Sequence, residues 1–365
     1  MDIGIPREAR SREHRVGLAP TGVKVLVHHG HRVFVETGAG LGAGHQDADY
    51  ESAGARIVFS RGEVYGRAEL LVSVLAPEPR DYGLLVPGQI VLAFWALPLV
   101  RPEDLSPLVE RKITAIGLEV IEDEEGRAPV LTSMSEIAGA LAVTVGAGLL
   151  LNESGGKGIL MGGAPGVPPA DMVVLGAGVL GRAAAQTASG MGAQVTLLDV
   201  SVPRLREARG VLRGPVITYL ATRPNIEKAL SYADLVLGAA AVHGQRAPVL
   251  VTRPMLRLMK PRSVVMDLAI DMGGCFDTSR PTSFPDPTYE VDGILHFCVP
   301  NLPSTAARTA TQALTSAVLP YLTTLASAGL ERALDEQPDL RRGVYLLRGA
   351  AFLDSVRHPL GDSSE

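Results

Sequence analysis

Apolar and polar positions alternate along this chain in short runs that change period repeatedly. Residues 2–6 and 31–36 (HRVFVE) read as strands, and between them Val23, Leu26 and Val27 recur at helical spacing. Apolar runs of strand length follow at 68–75, 88–94 and 113–121. Strands separated by helical stretches predict an α/β fold with a mostly parallel sheet. Residues 134–152 (MSEIAGALAVTVGAGLLLN) are small, apolar and free of proline. They predict a buried helix joining two lobes, with Ser135 as its N-cap and Glu136 in its first turn. The turn-rich segment GGKGILMGGAPGVPPA leads into a second lobe. There the runs at 170–175, 195–200, 215–220, 233–240 and 263–270 supply further strands. From Pro303 the pattern is helical again, and this tail is expected to pack back on the first lobe. The expected division is a discontinuous domain of residues 1–133 plus 303–365, and an inserted domain of residues 134–302. Both are expected to be Rossmann-like, the inserted one with a doubly wound parallel sheet.

Composition narrows the classes. The chain has 365 residues, 46% of them hydrophobic but only 4% aromatic, so aliphatic side chains carry the packing. A net charge of −5 with no long basic run argues against a nucleic-acid or anionic-membrane surface. No charge-free apolar stretch of about 18 residues occurs, and the first fifteen residues are too charged for a signal core. A cytoplasmic protein is expected. Cys275 and Cys298 are too few for a disulfide framework or a zinc knuckle, and no metal site is expected. Only five of the 34 basic residues are lysine.

The sharpest motif is VVLGAGVLG, in which Gly176, Gly178 and Gly181 have the spacing G-x-G-x-x-G. It follows an apolar strand and opens a small-residue helix, and a second strand then ends at Asp199. That context is the dinucleotide-binding fingerprint. Gly176 permits the tight turn, Gly178 lets the backbone approach a pyrophosphate, and Gly181 lets the helix lie close to the sheet. The helix start offers unpaired N–H groups to the phosphates. Asp199 is expected to accept hydrogen bonds from the ribose hydroxyls and to repel a 2′-phosphate, so NAD is the expected cofactor. Arg204 weakens that preference slightly.

With this half placed, the chain resembles the alanine dehydrogenases, and more distantly the NAD-binding part of nicotinamide nucleotide transhydrogenase. The matching stretches are IGIPREARSREHRVGLAPTGV, VETGAGLGAG, MSEIAG, GGAPGVPPADMVVLGAG, MDLAIDMGGC, TSRPT, DPTY and HFCVPNLPS. The resemblance implies that Arg15 grips a substrate carboxylate, as a guanidinium suits, and that Asp271 is the catalytic aspartate, its usual glutamine neighbour being Met272 here. It also implies NAD contacts at Ser135, Val179, Leu180, Asp199, Arg204, Ile270 and Asn301. A further family serine contact falls on Ala221. A homo-oligomer and a small-molecule carboxylate substrate are implied in the same way.

Two family groups are missing. The lysine that binds the keto-acid carbonyl falls on Leu75 in SVLAP. The proton-donating histidine falls on Ala96 or Leu97 in AFWALP. No lysine lies between Lys24 and Lys112 and no histidine between His45 and His243, so no local shift restores either. A poor alanine dehydrogenase is expected, because carbonyl polarisation and a proton shuttle are both lost. His243, in a loop at the C-terminal ends of the second lobe's strands, is the candidate substitute shuttle; a solvated loop histidine is the alternative. Glu119 and Glu78 are weaker candidates. Trp95, the only tryptophan, is either a core residue or the wall of a larger, more apolar pocket. The expected function is a divergent NAD-dependent oxidoreductase acting on an amino acid or imino/keto acid other than L-alanine. The alternatives are a non-catalytic NAD(H)-binding protein and an alanine dehydrogenase with rearranged catalytic residues.

Overall fold

The structure is a computed structural model that describes residues 1–97, 100–240, 246–353 and 355. The chain divides into two compact units, Met1–Met134 with Ser304–Glu365, and Ser135–Pro303.

The first unit holds an eight-stranded sheet in the order β15-β14-β6-β5-β4-β1-β2-β3. Its strands are β1 (Asp2–Ile5), β2 (Arg32–Glu36), β3 (Arg56–Val58), β4 (Leu70–Leu75), β5 (Ile90–Phe94), β6 (Thr114–Gly117), β14 (Val344–Leu347) and β15 (Ala350–Ala351). The six from β6 to β3 run parallel. Central strands of such a sheet are covered on both faces and read as unbroken apolar runs. IVLAF of β5 does so, with its first four residues buried. The chain leaves β1 for β2 and β3 on one side and then crosses to β4, β5 and β6 on the other. The gap between the C-terminal ends of β1 and β4 is therefore a topological switch point.

Helix α1 (Pro20–His28) buries Val23 and Leu26, and α10 (Ala307–Ala328) buries Leu314, Val318, Leu322 and Leu325. Two threonines of α10 also serve the irregular chain before α1. Thr311 Oγ1 and Thr315 Oγ1 accept from the N–H groups of Val16 and Ala19 at 3.2 and 2.9 Å. The tail is not all helical. After α11 (Leu330–Glu336) and α12 (Pro338–Arg342) it returns to the sheet as the β14/β15 hairpin, antiparallel to β6. The run 113–121 is a strand only to Gly117, after which residues 118–120 turn and carry Glu119 back toward the end of β5.

The second unit holds seven strands in the order β12-β13-β11-β10-β7-β8-β9. These are β7 (Asp171–Leu175), β8 (Gln194–Asp199), β9 (Val216–Leu220), β10 (Leu235–Gly238), β11 (Val264–Asp267), β12 (Thr288–Val291) and β13 (Ile294–Phe297). All are parallel except β12, which forms a hairpin with β13. Here the switch point lies between β7 and β10. Helix α6 (Val179–Gly190) packs Ala184, Ala185 and Ala188 into a core with Val174, Val195 and Leu197.

Helix α5 spans Pro129–Leu149, so it starts six residues before Ser135, which is a mid-helix residue and not a cap. Proline is pre-organised for a first helical position. By length and composition α5 is apolar enough to cross a membrane, but it carries Glu136, and Ala142 and Val143 are fully buried in the second unit's core.

Candidate functional site

In the second unit the glycine motif lies at the β7/β10 switch point. Gly176 has φ +113°, and a Cβ on it would stand 2.6 Å from the Ala239 carbonyl oxygen just past β10. A Cβ on Gly181 would stand 1.8 Å from the Gly176 carbonyl oxygen, so α6 crosses the turn at backbone contact. Gly178, the residue that starts α6, differs from both: no described atom lies within 4 Å of its Cβ position. The first and third glycines are thus required by the protein itself, and the second keeps a space clear at a helix N-terminus. A pyrophosphate fits that space, with the N–H groups of the first turn, which includes Val179 and Leu180, turned to it.

Asp199, 5% exposed at the end of β8, accepts from Ala177 N–H through Oδ2 and from Ser201 N–H through Oδ1, both at 2.7 Å. It therefore locks the glycine turn and still has lone pairs for ribose hydroxyls. Arg204 is exposed in the first turn of α7 (Val202–Val211) and its N–H donates to Ser201 Oγ at 3.4 Å. These residues fit NAD, which would be held by Gly178, the first turn of α6 and Asp199.

Asp271 and Asn301 are brought together. Asp271 is exposed on the single turn Ile270–Met272, with Ile270 buried beside it. Crowding by protein pushes its carboxyl above the usual range, against the pull of the Asn301 N–H. Asn301 adopts a left-handed backbone, φ +54°. Met272 and Ala221 are partly buried against the core of the second unit. His243 lies outside the described residues, and no role for it follows from the structure.

In the first unit Arg15 is 4% exposed and faces Glu13 through two donors, Nε to Oε1 at 2.8 Å and Nη2 to Oε2 at 2.7 Å. Its Nη1 rests on Met134 Sδ at 3.4 Å. The bidentate pair fixes the guanidinium plane. Leu75 ends β4 and is paired with Phe94 of β5; the next residue, Ala76, donates its N–H to the Phe94 carbonyl at 3.0 Å. Ala96 follows one residue after Trp95 with a left-handed backbone, φ +47°.

Trp95 is a core residue, the first of the two readings. It is 4% exposed, packed among Tyr82, Leu97, Leu105 and Val91, and its indole N–H donates to the Val91 carbonyl at 3.3 Å.

Two carboxylates face the vacated positions. Glu119 Oε1 accepts from Trp95 N–H, Ala96 N–H and the Tyr345 hydroxyl at 3.1, 2.6 and 3.0 Å. Glu8, two residues beyond Pro6 and so just past β1, bridges the β1/β4 switch point. Its Oε1 accepts from Val74 N–H at 2.7 Å and its Oε2 from Leu75 N–H at 3.2 Å. Burial raises the pKa of both. Glu8 is pushed up to about 7, since Glu13 adds to burial and outlasts the opposing pull of the two N–H groups and Arg15. Glu119 is raised against its own hydrogen bonds. Glu78, half-buried, is paired with Arg80 at 2.6 Å.

Sequence reasoning passed over Glu8, and also Asp267. Asp267 is fully buried at the end of β11 and ties down the chain after it. Its carboxylate accepts from Ala269 N–H, Cys275 N–H and Ser279 Oγ at 3.1, 2.7 and 2.6 Å. Neither residue has a signal in the linear pattern, because each acts across a strand end reached only by folding.

Two family profiles match the chain, as do curated and solved relatives. The profile described as "Alanine dehydrogenase/PNT, N-terminal domain" matches residues 4–138, and "Alanine dehydrogenase/PNT, C-terminal domain" matches residues 142–353. An alanine dehydrogenase of Halomonas elongata is 43% identical over 362 residues, 99% of this chain and 97% of that one. An alanine dehydrogenase of Mycobacterium tuberculosis is 42% identical over 361 residues, with the same shares covered. A solved L-alanine dehydrogenase superposes with TM-score 0.94 at 42% identity, covering 98% of this chain and 99% of that one. A transhydrogenase from Sinorhizobium meliloti superposes with TM-score 0.82 at 28% identity, covering 97% and 100%.

Proposed function

The chain belongs to the alanine dehydrogenase/PNT family, whose cofactor is NAD(H), and from that premise we propose that it oxidises an amino acid, or reduces the matching imino or keto acid, other than L-alanine. One observation carries this reading. The ends of β4 and β5, hydrogen-bonded to each other, lead to Leu75 and to Ala96 or Leu97 where the resemblance puts a lysine and a histidine. A cation that polarises a carbonyl and a shuttle tuned near neutral pH are each worth roughly 10²–10⁴-fold. Replacing both by aliphatic side chains suits a bulkier or less polar substrate than pyruvate.

Arg15 holds the substrate carboxylate, kept in plane by Glu13. Asp271 orients or protonates the reacting centre. NAD, when bound, supplies the acceptor or donor of the hydride at the substrate α-carbon. The protein works as a homo-oligomer on a small carboxylate.

The test is a steady-state panel on the full chain: amino and 2-hydroxy acids with NAD⁺, and keto acids with ammonia and NADH. The expected best acid has kcat/KM at least ~100-fold above L-alanine, the loss of one such group. L-Alanine as the best substrate would mean an alanine dehydrogenase with rearranged residues. Tight NADH binding without turnover of any acid would mean a non-catalytic nucleotide-binding protein.

A further inference from the structure

In open α/β sheets ligands gather at the switch point beyond the carboxyl ends of the strands. In the first unit that point is spanned by the side chain of Glu8, whose two oxygens take one N–H each from Val74 and Leu75. We propose that Glu8 is the proton carrier of the substrate site, accepting the proton of the substrate nitrogen in the oxidative direction and returning it in the reductive one, an inference that rests on the oxidoreductase reading above.

Three observations support Glu8 over its neighbours. The first is place. It caps the N–H of Leu75, the position from which the lysine is missing, and the fields of Glu13 and Arg15 both reach it. The second is capacity. Glu119 takes three donors, the Trp95 N–H shared between its two oxygens, the Ala96 N–H and the Tyr345 hydroxyl, against two for Glu8, so Glu119 is a positioning residue for the chain at Trp95 and Ala96. Each Glu8 oxygen takes one backbone donor and keeps a lone pair. The third is acidity. Among the described residues, the charged and titratable groups that face Glu8 are Glu13 and Arg15 on its own segment and Tyr65 on α3 (Arg61–Arg67). Val74 and Leu75 of β4 bring N–H groups and no charge. Burial, with Glu13 outweighing Arg15, leaves the carboxyl at about 7. A general base works best when its pKa lies near the working pH.

The step balances. The Glu8 carboxylate takes one proton from the substrate ammonium and becomes a carboxylic acid. The freed nitrogen lone pair forms the C=N bond as the α-hydrogen leaves with its two electrons to NAD⁺. Water then hydrolyses the iminium to the oxo acid and ammonium.

The experiment has two readouts on the full chain. In the first, pH-difference infrared spectra of ligand-free protein and of Glu8→Gln isolate the Glu8 carboxyl, with an expected midpoint near 7. In the second, kcat/KM for the best acid of the panel rises with pH through a limb near 7. That limb is lost in Glu8→Gln, with kcat/KM down ~10²–10⁴-fold and KM changed little, and it returns in Glu8→Asp. If Glu8→Gln does not fold, Glu8→Asp decides: a displaced limb supports the assignment and an unmoved one overturns it. A midpoint in the ordinary carboxylate range, or a limb that survives in Glu8→Gln, overturns the role of Glu8 while leaving the oxidoreductase reading intact. Absence of turnover on every acid overturns that reading, and the role of Glu8 with it.

Discussion

Gly178→Ala is the perturbation that best separates binding from folding at the nucleotide site. Gly178 has φ −66° and ψ −172°, extended backbone open to alanine, and its Cβ would meet no described atom. Alanine is a poorer helix start than glycine by a fraction of a kcal/mol, while the loss of unfolded-state freedom favours it by ~0.4–1 kcal/mol. The two nearly cancel, so the melting temperature should stay within about 2 °C of wild type. The cost falls on the ligand. A methyl group in the kept space pushes the pyrophosphate off the first-turn N–H groups, and a hydrogen bond to a charged group is worth ~1.5–3 kcal/mol. The NADH dissociation constant should therefore rise ~10–150-fold. Gly181→Ala is the control, because its Cβ would lie 1.8 Å from the Gly176 oxygen. That variant should lose upwards of ~3 kcal/mol of stability. Thermal melts and NADH fluorescence titrations on the same samples read both effects. Unchanged affinity in Gly178→Ala, or a Gly181→Ala protein as stable as wild type, would refute this division of the glycines.

Four further outcomes are expected. The Glu8 carboxyl binds its proton more tightly folded than unfolded, so its contribution to stability is complete below pH 4.5 and is lost as pH rises toward about 7; in urea titrations at pH 5 and 8, Glu8→Gln should gain up to ~3 kcal/mol relative to wild type at the higher pH, and equal differences at both would count against a displaced carboxyl. Leu75→Lys puts an ammonium beside Glu8 and should move the infrared midpoint of that carboxyl well below 7, while Leu75→Lys with Ala96→His should raise kcat/KM on L-alanine at least ~10-fold. Glu119→Ala strips acceptors from Trp95 N–H, Ala96 N–H and the Tyr345 hydroxyl and should cost ~2–4 kcal/mol in chemical denaturation. Asp199→Asn leaves one of its two N–H partners facing an amide donor; it should weaken NADH binding and narrow the preference over NADPH, checked by paired titrations.

Much of this protein is legible in the linear chain because it depends on local rules. Apolar period and glycine spacing are properties of neighbouring residues, so β7, the turn at Gly176–Gly178 and the acidic end of β8 can be read from the order of residues alone. The helical tail is readable for the same reason, though its last two strands are not. Residues 344–347 (VYLL) and 350–351 are too short to announce a sheet, and only the open edge of β6 makes them one. Ser135 looks like a cap until Pro129, upstream, begins the helix. Trp95 looks available to a ligand until Tyr82, Leu97 and Leu105 close over it. Glu8 and Glu119 sit far in sequence from the N–H groups they cap, about 66 and 24 residues away, and nothing in their own neighbourhoods marks them. What tertiary structure decided is which buried carboxylate lies against which strand end. Desolvation and hydrogen bonding are fixed by what surrounds a group in space, and a sequence lists only what precedes and follows it.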